Sequence, residues 1–111
     1  MHLILPADNF IVVNKTVLHE SDRRILTLLY QPLVGNIAIS LYSTLWSYLD
    51  KFELLSNEWS HSHLLTNMMV TVNELDDARV KLEGIGLLKT YVKKGNVNSY
   101  VYELYLSLIH I

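Results

Sequence analysis

The side chains best suited to chemistry are three lysines near the C-terminal end, Lys89, Lys93 and Lys94, which are interleaved with tyrosines. Ammonium groups bind phosphates and tyrosine rings stack on bases, so this pattern is typical of a surface that contacts nucleic acid. Two other interpretations stay open. The lysines could discourage pairing at an exposed strand edge, or the tyrosines could belong to a subunit interface, where tyrosine is enriched.

Residues 73–83 are the second candidate for DNA contact, as the helix that would enter the major groove. Its first turns carry Glu74, Asp76 and Asp77. Carboxylates repel the phosphates that line a groove, and duplex affinity depends largely on cations. The positive end of a helix and an Asp77–Lys81 pair four residues apart explain these acids better. The segment therefore predicts a structural helix rather than a DNA reader.

A metal site and an enzyme active site both lack support. His61 and His63 are two residues apart, so on a helix they do not share a face, and no third ligand has zinc-site spacing. Both histidines are expected in the first turn of a capped helix, in partly exposed positions. The chain has no cysteine, no glycine-rich phosphate loop and no nucleophile motif. We therefore expect no metal, no cofactor and no catalytic activity.

Composition limits the class of protein. The 111 residues are 50% hydrophobic, which predicts one folded domain. The formal charge of −2 lacks the basic excess of most nucleic-acid-binding domains. The N-terminus has no signal-peptide pattern, which favours the cytoplasm. Residues 25–49 carry no charge, but Pro32 and Gly35 interrupt them, which favours two helices and a turn over a membrane span.

The first half of the chain predicts an extended arm followed by two helices. Residues 10–13 and 16–18 have strand composition within an arm of residues 1–20. Ser21 is expected to cap a helix that ends before Pro32. Because its apolar residues cover most of its circumference, that helix should be largely buried. Residues 34–51 carry a wide apolar stripe and predict the central helix of the core.

The second half predicts two helices and a hairpin. A short helix begins at Ser60 or Ser62, and Asn73 is expected to cap a third core helix through Glu83, whose buried edge ends at Ile85. Gly84 stands where a left-handed residue would end that helix. Residues 87–94 and 98–105 predict two strands joined by a turn at Gly95-Asn96. The order is that of a winged-helix domain, mainly α with a small β-hairpin.

Two blocks of sequence resemble one family. They are residues 22–46, which begin DRRILTLLYQPLVG, and residues 81–93, KLEGIGLLKTYVK. Residues 5–8 and 102–104 extend the resemblance over nearly the whole chain. The chain is similar to the N-terminal domain of DnaB-type replication initiation proteins of Firmicutes, which are helicase-loading factors. The resemblance implies a winged-helix fold and a role in the initiation of DNA replication.

The family's known role implies a module for oligomerisation and for binding primosome proteins. The expected partners are further copies of the chain, a DnaD-type protein, the origin initiator, and the replicative helicase or its loader. DNA binding would belong mainly to later domains, and membrane association to the full-length protein. We expect the contacts on exposed residues of the arm and wing, namely Phe10, Val12, Tyr91, Tyr100 and Tyr102. The alternative is a winged-helix transcriptional regulator that binds DNA through Lys89, Lys93 and Lys94.

The last six residues depart from the family pattern. Residues 106–111, LSLIHI, are similar to the translation of a transposase sequencing adapter. We therefore expect the domain to end at Tyr105, with residues 106–111 outside the fold and the natural gene truncated there.

Overall fold

A helical body packs against one face of a small sheet. The computed structural model describes residues 4–16, 18–49 and 54–106. The strands are β1 (Asn9–Asn14), β2 (Trp59–Ser60), β3 (Leu88–Lys93) and β4 (Ser99–Leu104). The helices are α1 (Asp22–Ile25), α2 (Gln31–Val34), α3 (Asn36–Ser47), α4 (His61–Met68) and α5 (Val72–Gly84), with a π-helical turn at Leu26–Tyr30. The predicted helix, helix, helix and hairpin order is confirmed.

The leading helix (residues 22–34: α1, the π-helical turn and α2) runs through the predicted stop at Pro32. In the π-helical turn the Gln31 N–H donates to the Leu26 carbonyl. Pro32 then lies in the first turn of α2, where its missing N–H needs no partner. Gly35, at φ 89°, separates the leading helix from α3. The predicted cap is also wrong, because Ser21 has helical dihedrals and makes no side-chain cap bond.

The central position of α3 is confirmed. Its buried residues repeat at helical spacing and include Ala38, Leu41, Tyr42 and Leu45. The helix ends at Ser47, and the predicted end at residue 51 lies outside the described residues. No helix among residues 4–16, 18–49 and 54–106 has the length and apolar character needed to cross a bilayer.

Local hydrogen bonds set the boundaries of α4 and α5. Ser60, one of the two predicted candidates, caps α4 by accepting from the His63 N–H. The cap of α5 is Thr71 rather than Asn73, because Thr71 and Glu74 form a reciprocal capping box. Gly84 still belongs to α5, and Gly86 takes the left-handed conformation instead.

The four-stranded sheet has the order β2-β1-β4-β3. β1 runs parallel to β4, with Phe10 opposite Tyr100 and Val12 opposite Tyr102, while β3 and β4 form the antiparallel hairpin of the wing. The strand composition predicted for residues 10–13 is confirmed by β1. Residues 9–14 are nevertheless not an unpaired arm, because both edges of β1 are hydrogen-bonded. Side chains alternate along a strand, so even-numbered residues of β1 and β4 face the helices.

The predicted domain end at Tyr105 needs one correction. Leu106 is 7% exposed, and its N–H donates to the Thr16 hydroxyl at 2.6 Å. Leu106 therefore packs with the fold, because that hydrogen bond and its burial attach it to the body. Residues 107–111 lie outside the described residues, and the origin of residues 106–111 as adapter sequence stays a prediction.

Candidate protein-interaction surface

Four of the five residues expected at an interface lie in the core. Phe10, Val12, Tyr100 and Tyr102 are each at most 3% exposed. The Phe10 ring lies 5.7 Å from that of Tyr102, centroid to centroid. The expectation of an exposed contact surface is wrong for these four residues, because strand alternation points them at the helices. Tyr100 and Tyr102 are thus unavailable for stacking on bases beside the wing lysines.

His61 is fully buried at the start of α4, where a partly exposed position was expected. Its Nδ1 lies 2.7 Å from the Asp8 carbonyl oxygen, which can only accept, so Nδ1 carries the proton. Nε2 therefore accepts from the Tyr102 hydroxyl at 2.6 Å. Burial lowers the pKa of His61 and raises the pKa of Tyr102. These bonds fix a neutral imidazole beneath the sheet.

Asp8 joins three separate parts of the chain around His61. Its carboxylate accepts from the Leu5 N–H at 2.9 Å and from the Asn98 N–H at 3.2 Å. Its carbonyl also accepts from the His61 N–H at 2.8 Å. The chain before β1, the start of α4 and the wing turn are consequently held together. This buried polar cluster has a structural role, since its hydrogen bonds connect these three segments.

The charged residues of α5 are engaged with one another. Arg79 donates to Asp76 at 2.6 Å and to Glu83 at 2.8 Å. Burial acts to lower the pKa of Arg79, but the hydrogen bonds to these acids raise it. Thr90 of the wing donates to Glu83 as well, at 2.5 Å. The Arg79 guanidinium therefore links successive turns of α5, and Glu83 links α5 to the wing.

The remaining acids of α5 have the structural roles that the sequence predicts. Glu74 completes the capping box, and Asp77 lies 3.1 Å from Lys81, which confirms the predicted pair. Leu75, Ala78 and Leu82 are buried as expected, whereas Ile85 is 37% exposed because it follows the last turn of α5.

The three wing lysines lie on the surface. Lys89, Lys93 and Lys94 are exposed, and none forms an ion pair with another described residue. The Lys89 ammonium nitrogen lies 5.3 Å from the centre of the Tyr105 ring. Tyr91, between Lys89 and Lys93, is 53% exposed. The wing thus presents a basic surface with one accessible tyrosine, and DNA contact by these lysines stays a prediction.

The outer face of the sheet is partly apolar. Tyr91, Val101 and Ile11 lie side by side across β3, β4 and β1. Next to them, Val13 bridges to Leu55, which is 54% exposed. No described helix covers this face, because the helices pack on the even-numbered side chains of β1 and β4.

The leading helix carries three exposed leucine side chains. Leu28, Leu29 and Leu33 are 63%, 46% and 71% exposed, and we call them the leucine surface. The predicted burial of this helix is wrong, because only Leu26 and Val34 within it are buried. The leucine surface lies in the stretch without charge, residues 25–49.

A groove of about 260 Å³ separates the leading helix from the start of the wing. Tyr30 contributes one wall, Ile85 and Gly86 another, and Tyr105 and Leu106 the end. The lining is mainly apolar and includes no carboxylate, imidazole or thiol. Among residues 4–16, 18–49 and 54–106, no three His, Asp or Glu side chains are grouped as metal ligands.

Three core helices followed by a two-stranded wing define a winged-helix domain. The chain belongs to the DnaB N-terminal winged helix domain family, whose model matches residues 4–110. The family and the fold expected from the sequence are thereby confirmed.

Two relatives place the chain within longer proteins. It is 29% identical over 100 residues to the replicative helicase loading/DNA remodeling protein DnaB of Staphylococcus aureus (strain NCTC 8325 / PS 47), covering 89% of this chain and 22% of that protein. It also matches the crystal structure of primosome protein DnaB (residues 1–300) from Geobacillus stearothermophilus with a TM-score of 0.82 and 40% identity. That match covers 95% of this chain and 40% of the other. The chain thus spans less than half of each relative.

The sequence pointed to the wing and missed the leucine surface. Leu28 and Leu29 were expected in the core because apolar positions around a whole helix normally indicate burial. Leu33 fell in the predicted turn between two helices. The sequence feature that could have indicated this surface is that residues 25–49 contain no charged residue. Such a stretch is as typical of the centre of an interface as of a core.

Proposed function

We propose that this chain is the N-terminal assembly module of a protein that initiates DNA replication by loading the replicative helicase. Its activity is self-association and the binding of other primosome proteins, and it is a binding module rather than an enzyme. The relatives' names, a helicase loading protein and a primosome protein, support this assignment.

The leucine surface is the observation that carries the proposal. Leu28 and Leu29 lie in the π-helical turn and Leu33 in α2, and the three side chains are on average more than half exposed. Contacts between proteins exclude charge from their centres. A two-fold contact places each patch against itself, so any unpaired charge would meet its own copy. A patch without charge avoids this penalty, and a second copy of the chain is its proposed occupant.

The partners proposed for the full-length protein are a DnaD-type protein, the origin initiator, and the replicative helicase or its loader. Binding of DNA and association with membrane would rest mainly on regions beyond this domain. The expected cellular location is the cytoplasm. Tyr91 remains a proposed contact for protein partners because its ring is exposed on the wing.

A winged-helix regulator that reads duplex DNA is the competing function. In such proteins the N-terminal part of the recognition helix contacts base edges. Here the polar side chains at that end of α5 already bind one another, in the Thr71–Glu74 capping box and in the Asp76–Arg79 ion pair. Freeing Arg79 for a phosphate would break three charged hydrogen bonds, two to Asp76 and one to Glu83, which argues against DNA reading by this helix.

Light scattering over a range of chain concentrations tests the proposal. We expect a mass of two or more chains, unchanged by salt or by a short DNA duplex. Leu33→Glu should shift the mass to that of one chain, because two carboxylates would meet at the contact. Leu33 is so exposed that folding should be little affected.

Val80→Glu is the matched control, since Val80 is an exposed apolar residue of α5. Its mass should equal that of the unchanged chain. A single-chain mass at every concentration would refute self-association of this domain. Retention of the larger mass by Leu33→Glu would refute the leucine surface as the contact.

A further inference from the structure

The outer edge of β3 is a free strand edge among the described residues, since β3 is the last strand of the sheet. The Tyr105 N–H donates to the Leu87 carbonyl at 2.9 Å. Bonded pairs alternate in an antiparallel ladder, so Lys89, Tyr91 and Lys93 direct their backbone groups to β4. The N–H and C=O groups of Thr90 and Val92 therefore point away from the sheet and are available to another strand.

Side chains along this edge combine positive charge with apolar surface. Lys89 and Lys93 flank Tyr91 on the outer face of the sheet. Glu103, opposite Lys89, lies 3.8 Å from Lys15 and accepts from the Tyr105 hydroxyl. On the inner face Val92 is 38% exposed. The edge thus offers two cations, one ring and one aliphatic side chain at strand spacing.

A second copy of β3 is a poor partner for this edge. Residues 88–94 contain three lysines and no acid, so pairing two copies would bring two basic rows together. Like charges across a strand pair are destabilising, and lysines on edge strands are a common protection against self-pairing. The complement must come from a different sequence with carboxylates.

We propose that the edge of β3 binds an extended acidic segment of another protein, which adds to the sheet as a further strand. Carboxylates at alternate positions would face Lys89 and Lys93, with an apolar or aromatic residue beside Tyr91. Main-chain bonds to Thr90 and Val92 supply affinity, and the side chains supply specificity. This site is separate from the leucine surface and does not depend on self-association.

The test uses the full chain and a peptide with the core Glu-Val-Tyr-Val-Glu, followed by NMR. The peptide should bind and slow amide hydrogen exchange at Thr90 and Val92, whose N–H groups gain acceptors. Exchange at Tyr91, already bonded to β4, should change little. The Lys89→Gln/Lys93→Gln double variant should weaken binding about fivefold, the usual scale for two cross-strand ion pairs.

Two controls separate strand addition from simple charge attraction. Lys81→Gln removes an exposed lysine of α5 and should leave peptide affinity unchanged. A peptide with lysine in place of both glutamates should bind more weakly than the acidic one. Unchanged exchange at Thr90 and Val92 in the presence of the acidic peptide would overturn strand addition, even if the peptide bound.

DNA is the other ligand that the lysines could hold. A short duplex or single strand that displaces the acidic peptide and loses affinity in the double variant would overturn the proposal in favour of DNA. Failure of peptide binding in a chain that still self-associates would refute this inference alone.

Discussion

Replacing the buried histidine with phenylalanine should destabilise the domain. His61→Phe keeps an aromatic ring but leaves the Tyr102 hydroxyl buried without a partner, at a cost of about 1–3 kcal/mol. The Asp8 carbonyl keeps its bond from the residue 61 N–H, at 2.8 Å, so it adds little. Packing a larger ring against Phe10 and Tyr100 adds roughly 1 kcal/mol. We expect a total loss of about 2–4 kcal/mol.

Urea unfolding at neutral pH measures this loss, and a double-mutant cycle isolates the hydrogen bond. Tyr102→Phe should cost about 1–3 kcal/mol because it leaves Nε2 of His61 unpaired. The His61→Phe/Tyr102→Phe variant removes both polar groups. Its loss should therefore be smaller than the sum of the single losses by at least about 1 kcal/mol.

Tyr91→Phe serves as the control for the cycle. Its hydroxyl is on an exposed side chain, so the change in unfolding free energy should stay within about 0.5 kcal/mol. Losses that simply add in the double variant would refute a stabilising hydrogen bond between the Tyr102 hydroxyl and His61.

Two further predictions concern pH and capping. Burial lowers the folded-state pKa of His61 below the ordinary value of 6.5, so the unfolded chain takes up the proton first. Stability from this group is present above pH 6.5 and is lost as pH falls towards the folded-state pKa, by up to about 1.4 kcal/mol per pH unit. Urea unfolding over that range should show this extra slope in the unchanged chain and not in His61→Phe. Thr71→Ala should cost about 1 kcal/mol in thermal or urea unfolding because it removes the capping box of α5. Thr66→Ala, a change at an exposed position within α4, should cost less, and equal losses would contradict the role of the cap.

Most of the helices and both strands of the hairpin could be predicted because their signals are local. Ser60 caps α4 through its own neighbour three residues on, and the turn after β3 needs only Gly95 and Asn96. The predicted cap was wrong where the sequence offered two candidates. Thr71 caps α5 instead of Asn73, because the Glu74 side chain accepts from the Thr71 N–H in return. The helix end predicted before Pro32 was wrong, because a proline is as favourable in the first turn of a helix as it is after a helix end.

The candidate site was predictable only in part. Tyr91 and the wing lysines lie on the surface as their alternation suggested, but Tyr100 and Tyr102 point inward. The face on which a strand residue lies follows from pairing with a distant segment, and β1 supplies that pairing only in the folded chain. A pattern of apolar and polar residues does not reveal which of two strand faces the helices will cover.

Family, order of elements and absence of a cysteine were determined by the sequence alone, since they depend on neighbouring residues or on composition. Tertiary structure decided that β1 enters the sheet, that His61 is buried beneath it, and that the leucine surface stays exposed. Each of these depends on contacts between residues far apart in the chain. Burial is a property of the whole packed domain, and an apolar helix is buried only where another element is available to cover it.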